Sequence, residues 1–223
     1  MKLFGLTFGA ALLAATAASA GVLTFDDQDS SPSQTVPLPS YETLEVGGYT
    51  FGVSTQLNNN GDLGAAIFNT NCINDISVAC NGDEDIALTT ERQGENGIEG
   101  NVLIIQEKSP SAIPDDTGSG GTITLTLLEG TPFQILSAAA IDDGTFTFGT
   151  SVDGEIDAIT LGENETGRVY LNSSVVGIGD TVTIKYSGSG GVDSFVIAPV
   201  PVPAASLLLI GAMGGLAALR RRA

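Results

Sequence analysis

The chain has no histidine and no tryptophan, and only two of its 223 residues are cysteine. Without histidine neither a Ser-His-Asp nor a Cys-His arrangement can be assembled. Two cysteines alone cannot complete a zinc set, so the usual zinc hydrolysis is excluded as well. The missing tryptophan removes the commonest platform for stacking a sugar ring. Positive charge is also scarce, with eight Lys and Arg against 26 Asp and Glu and a net charge of −18. A protein of that sign repels nucleic acid and anionic membrane faces and attracts divalent cations, so no nucleic-acid partner is expected. No repeat of 20–50 residues is present, which argues against a solenoid.

What is present is concentrated first at the two ends. Lys2, the apolar run Leu3 to Leu13 and the small residues Ala18-Ser19-Ala20 make a secretory signal peptide over residues 1–20, with Gly21 first after cleavage. The other end carries Val200-Pro201-Val202-Pro203-Ala204, an apolar run to Leu219, and Arg220-Arg221-Arg222-Ala223. As a helix that run would span about 24 Å at 1.5 Å per residue. It is short against a ~30 Å hydrocarbon core, but three arginines anchor its far end on the cytoplasmic side. Gly211, Gly214 and Gly215 weaken it as an aqueous helix, and it has no polar face.

Proline motif, apolar helix and terminal arginines, in that order, resemble the PEP-CTERM-type sorting signals of Gram-negative bacteria, in the VPLPA-CTERM variety. Val202 stands where that motif usually has leucine. The resemblance covers about the last two dozen residues. It implies a transient stay in the inner membrane, recognition by an exosortase-type membrane protease, and release or anchoring of the body at the cell surface or outside the cell. An ordinary C-terminal anchor helix is the plainer alternative. Losing both ends removes Lys2 and the three terminal arginines and leaves four basic against 26 acidic residues, a net charge of −22.

Between the ends, residues 21–199 are expected to form one all-β domain, an antiparallel β-sandwich. Runs of β-branched and aromatic residues alternate with Gly, Asn, Asp and Ser clusters. The expected strands begin with Val22–Phe25, Tyr49–Val53 and Val102–Gln106. They continue with Thr122–Leu127, Phe133–Ile141, Thr145–Phe148, Arg168–Leu171, Thr181–Tyr186 and Val192–Ile197. Ile123, Leu125 and Leu127 alternate with threonines, which predicts one buried and one wet face. Asp142-Asp143-Gly144 reads as a hairpin turn. Cys72 and Cys80, close together in an exported chain, are expected to form one disulfide. The order TFDD, GNVLIIQE, TITLTL and SGSGGVDSFVI resembles the jelly-roll bodies found on PEP-CTERM-type proteins, many of which are similar to carbohydrate-binding sandwich modules.

Calcium is the expected ion, because it takes six to eight hard oxygen ligands and clustered acids in β loops supply them. Asp26 after the first strand and Asp193 in the last are the favoured pair if those strands are neighbours, as the jelly-roll resemblance implies. Asp83 with Asp85 and Asp142 with Asp143 are further candidates, and none fits an EF-hand loop. Solvated surface acid is the competing reading of each. Asn164-Glu-Thr166 and Asn172-Ser-Ser174 match the N-glycosylation pattern, which the bacterial sorting tail argues against. Tyr41, Tyr49, Tyr170 and Tyr186 are the possible sugar platforms, though strand tyrosines more often pack. The expected function is non-enzymatic: an exported surface or matrix protein associated with exopolysaccharide. A carbohydrate-binding module is the alternative, and a glycoside hydrolase using two carboxylates comes third.

Overall fold

The computed structural model of the chain describes residues 20–26, 43–59, 64–71, 86–88, 94–98, 100–107 and 116–200. Outside these residues lie the signal peptide up to residue 19, Tyr41, Cys72, Cys80, Asp83, Asp85 and the tail from Pro201 onward. Residues 19–200 form one compact unit. Its strands make two six-stranded antiparallel sheets. The first orders β10 (Thr166–Tyr170), β7 (Phe133–Ile141), β12 (Gly191–Pro199), β5 (Asn101–Gln106) and β4 (Gly64–Asn69), with β1 (Gly21–Leu23) also on β12. The second orders β2 (Thr43–Val46), β3 (Tyr49–Leu57), β6 (Gly121–Glu129), β11 (Thr181–Tyr186), β8 (Gly144–Thr150) and β9 (Gly154–Leu161). Among the described residues the only helical element is a 3-10 turn, Glu95–Gly97, and no helix is long and apolar enough to cross a membrane.

The period-2 patterns do what strand geometry requires. Ile123, Leu125 and Leu127 of β6 are buried while Thr122, Thr124 and Thr126 are half-buried on the other side. Val182, Ile184 and Tyr186 of β11 follow the same rule. These side chains meet Phe133, Ile135 and Val192 of the first sheet in the main core. Aromatic edges bind the two layers. Phe133 of β7 lies 5.2 Å from Tyr49 and 6.3 Å from Phe51 of β3, both near-perpendicular.

The run Val102-Leu-Ile-Ile105 lacks alternation for a different reason, because β5 is buried on both faces. Leu103 and Ile105 face the main core, whereas Val102 and Ile104 join a second cluster with Phe68, Ile86, Leu88, Ile98 and Ile141. The described parts of the β4–β5 connection therefore cover the outer face of the first sheet. Backbone bonds from Leu88 N–H to Thr70 O (2.7 Å) and from Thr70 N–H to Gly100 O (2.8 Å) hold that cover down.

One expectation is overturned. Asp142-Asp143-Gly144 does not close a hairpin: β7 pairs with β10 and β12 in one sheet, and β8 with β9 and β11 in the other. The chain changes layer there. Asp142 turns inward at φ 75° and is 1% exposed, so the turn is a corner built around a buried carboxylate and not a solvated hairpin tip. Strands β2, β4 and β9 were not expected from the sequence.

Candidate functional site

The chain's first and last strands are neighbours, as the favoured acid pair required. Gly21, Val22 and Leu23 face Ile197, Val196 and Phe195 in register. β5 occupies the same side of β12 farther back, opposite Gly191 and Val192. Asp193 therefore stands at the seam between β1 and β5, fully buried. Its Oδ1 lies 3.4 Å from the Phe25 N–H. Asp26 is exposed and accepts the Asn101 N–H at 3.0 Å, while the Asn101 side-chain amide donates to Phe25 O at 3.2 Å. The two carboxylates thus flank one Phe25–Asn101 contact, and each accepts a backbone N–H there, Asp193 from Phe25 and Asp26 from Asn101.

Asp142 and Asp143 part company: Asp142 is buried and Asp143 exposed. Asp142 accepts the Asn164 N–H at 2.9 Å, and its own N–H donates to Glu165 O at 2.8 Å. Its other oxygen lies 2.7 Å from Ser189 Oγ, and the same hydroxyl lies 2.5 Å from Asp116 Oδ2. Asp116, 6% exposed, also accepts the Gly190 N–H. Gly190 is fixed as glycine by φ +115° and by Ile141 O, which a Cβ would overlap. Sequence spacing gave no sign of this grouping, because Asp116, Asp142 and Ser189 come from three separate turns.

Of the four tyrosines, Tyr49 and Tyr186 are buried in the core and cannot stack a ligand. Burial, with the Asp116 charge second, holds the Tyr186 phenol well above its ordinary pKa, and its hydroxyl donates to Leu103 O at 2.9 Å. Tyr170, at the end of edge strand β10, is 74% exposed. At the other end of the same strand a shallow polar depression is lined by Glu95, Asn96, Asn164, Glu165 and Thr166. The void between the sheets, lined by Phe25, Phe51, Phe133 and Phe195 among others, is about 20 Å³ and wholly apolar, so it is a packing defect and not a ligand site. No group of three or more Cys, Asp and Glu side chains spaced to hold a metal occurs among the described residues.

Asp153 illustrates what an exposed acid does here. Its carboxylate accepts the Ser174 N–H at 2.7 Å and the Thr150 hydroxyl at 3.0 Å. Hydrogen bonds from Ser174 outweigh the opposing desolvation and, with a lesser contribution from Thr150, hold its pKa below the ordinary aspartate value. A lowered folded-state pKa adds stability above the ordinary aspartate value of about 3.9 and loses it as pH falls through the folded-state value. Asp153→Asn should therefore lower the Tm at pH 7 and leave it unchanged in strong acid. Equal deficits at both pH values would refute this.

No family model matches the sequence, and no curated protein matches it. Among solved structures, the chain is similar to a GH26-CBM35 β-(1,4)-mannanase of Podospora anserina at 11% identity and a TM-score of 0.34, over 68% of this chain and 28% of the mannanase. It is similar to a family 29 carbohydrate-binding module complexed with mannohexaose at 11% identity and a TM-score of 0.32, over 82% of this chain and 90% of that one. What the chain shares with them is a β-sandwich.

Proposed function

We propose that this is an exported, non-enzymatic protein of the cell surface or extracellular matrix, whose jelly-roll-like acidic sandwich is steadied by calcium and held in or near extracellular polysaccharide. Its C-terminal segment is read as a membrane-spanning sorting helix processed by an exosortase-type protease. The observation that supports this most is where the folded unit begins and ends. β1 starts at Gly21, the residue expected first after signal cleavage, and pairs with the strand that ends at Pro199. Val200 makes a last backbone bond, its N–H to Pro132 O at 2.8 Å, immediately before the proline motif continues.

Expression in a Gram-negative host with and without an exosortase-type protease tests this. The mature chain should begin at Gly21, lack Arg220–Arg222 only where the protease is made, and leave the cytoplasm. A full-length chain held permanently in the cytoplasm of both hosts would sink the reading.

One observation favours a second reading, a carbohydrate-binding module. Tyr170 offers an open ring on the strand whose far end carries the Asn96, Asn164 and Glu165 depression. Affinity electrophoresis against a panel of polysaccharides, with and without chelator, separates the two. Retardation that Tyr170→Ala abolishes would establish the module, migration unchanged by every polysaccharide would leave the surface-protein reading, and turnover of a polysaccharide would point to a hydrolase.

A further inference from the structure

We infer that the end of the sandwich from which the C-terminal segment leaves is a lipid-docking surface, seated on the outer face of the bilayer that holds that segment; this rests on the reading of the apolar run as a membrane-spanning helix. Among the described residues the large apolar side chains that stand exposed are Val22, Leu128, Val152, Tyr170, Val175 and Ile178. Scattered singly, such residues need no explanation. These are gathered together. Leu128 is next to last in β6, Val152 lies in the β8–β9 turn, Tyr170 ends β10, and Val175 and Ile178 belong to the β10–β11 connection. All five stand at the end where β12 finishes, and Val22 lies beside Val196 of the same strand.

Backbone bonds join these connections around the exit. The Val200 N–H donates to Pro132 O at 2.8 Å, and Phe133 beside it exchanges two bonds with Val176, of 3.1 and 2.7 Å. Val176 sits between Val175 and the Gly177–Asp180 turn, whose Gly179 N–H reaches Leu127 O at 2.8 Å. The Ser151 N–H donates to Thr181 O at 2.9 Å, which brings in the β8–β9 turn. Two of the apolar residues stand inside turns, Val152 between Ser151 and Asp153, and Ile178 between Gly177 and Gly179. Such positions ordinarily go to Gly, Pro, Asn, Asp and Ser. In both turns the aspartate folds back instead. Asp153 accepts the Ser174 N–H and the Thr150 hydroxyl, and Asp180 accepts the Gly177 N–H at 2.9 Å and the Ser151 hydroxyl at 3.2 Å. The valine and the isoleucine are left facing solvent, with the nearest charge of each turn drawn back.

The chain itself supplies the occupant. From Val200 to Ala204, where the apolar run begins, is four residue steps, which reach about 14 Å at full extension. A bilayer that holds the run is therefore within a short step of Val175 and Ile178, and the tether keeps them at high effective concentration beside it. Aliphatic side chains enter the boundary between headgroups and acyl chains, and a tyrosine at the rim, as Tyr170 is, suits the headgroup level. The opposite end has the reverse character. Asp143, Glu163 and Glu165 stand exposed at the β7–β8 corner and the β9–β10 turn, and no large apolar side chain is exposed there among the described residues. In so acidic a body this polarity turns the exposed acids of that end away from the lipid.

The chain has no tryptophan, so one placed at Ile178 reports on that turn alone. Ile178 and Glu163 are both exposed, and a larger ring at either leaves the core intact. Full-length Ile178→Trp and Glu163→Trp, made in a Gram-negative host without the exosortase-type protease, are reconstituted in phosphatidylcholine vesicles with plain or brominated acyl chains. Brominated lipid should quench the emission of Ile178→Trp at least twofold and leave that of Glu163→Trp unchanged. Val152→Trp, on the neighbouring turn, should be quenched like Ile178→Trp and replaces it if that variant folds poorly. A chain that floats with the vesicles yet shows the same weak quenching at positions 152, 163 and 178 would overturn the docking surface and leave the membrane helix standing. A chain that does not float with them would overturn the helix and the docking surface together. Emission from Ile178→Trp that is shifted to the blue but unquenched, and that moves back to the red as the chain is diluted among more vesicles, would assign the surface to a second copy and overturn lipid as its occupant.

Discussion

Phe133→Ala should destabilise the sandwich by about 4–5 kcal/mol, near the top of the range for deleting a buried aromatic ring. The ring is 1% exposed and is the first sheet's main contact with Tyr49 and Phe51 of the second. Removing it opens a space beside the apolar void of about 20 Å³ that Phe133 already lines. A cavity that joins an existing void is poorly relieved by relaxation, because the surrounding β-ladders fix the backbone on both sides. For a folded unit of this size the loss corresponds to a fall in Tm of roughly 8–20 °C. Phe133→Leu keeps most of the volume and should lose less than half as much. A thermal melt in which the alanine variant falls by less than about 3 °C would mean that the two sheets close over the gap.

That core was legible in the sequence wherever one face of a strand is buried and the other wet. β6 and β11 declare themselves because Thr122, Thr124 and Thr126, or Thr181 and Thr183, separate the apolar residues one by one. β5 reads as a buried strand from its unbroken apolar run, but not what covers its outer face, since that cover comes from a distant part of the β4–β5 connection. β9 was hidden by its own irregularity. A register shift where β8 passes from Phe148 to Gly149 sets its half-buried residues, Ile156 and Ile159, three apart, a spacing that matches no strand. β4 was hidden by small residues, Gly64-Ala65-Ala66, whose burial reflects neighbours and not hydrophobic size.

The site was less legible than the fold. Adjacency of β1 and β12 followed from the jelly-roll resemblance, and it puts Asp193 against the Phe25 N–H and Asp26 against the Asn101 N–H. Asp142 was singled out beside Asp143 because the two are consecutive, yet consecutive residues at a corner point different ways, and only Asp142 goes inward. Its partner Asp116 is 26 residues earlier and reaches it through a serine 47 residues later. Contacts of that kind are fixed by sheet topology, which leaves no spacing in the chain to read. The tyrosines were not told apart by sequence: Tyr49, Tyr170 and Tyr186 all stood in expected strands as possible platforms, and Tyr49 and Tyr186 prove to be core while Tyr170 is exposed.

Arg168 should prove to be the residue that keeps the outer cover attached to the first sheet. From half-buried β10 its guanidinium donates to Asn96 O through two nitrogens, one of them at 2.9 Å. A third nitrogen donates to Ser137 Oγ at 2.9 Å and to Ser194 O at 3.1 Å. It can span that distance because Ala139, its register partner on β7, is small, and Asp193 lies opposite the same alanine on β12. Ser194 sits at φ 50° in the irregular step of β12 between Asp193 and Val196, and its hydroxyl bonds Gly97 O in the 3-10 turn. Even a methyl group on Gly97 would fall 2.5 Å from the guanidinium. The arginine thus fixes the turn, the irregular strand and the edge strand at once. Arg168→Met keeps the alkyl stem but removes every donor, and should cost about 2–4 kcal/mol after allowance for the partial exposure of the site. Arg168→Lys keeps the charge and recovers only a minor part, because a single ammonium cannot serve acceptors on two strands and a turn. The two losses differ from that of Phe133→Ala in where they appear. With the cover released, Ile98 and the Ile86–Leu88 segment leave the outer cluster first, so brief proteolysis should cut the Met variant between residues 71 and 100 while the two sheets stay whole. Uniform loss of the whole chain at the wild-type rate would show that the cover is held by its apolar contacts alone.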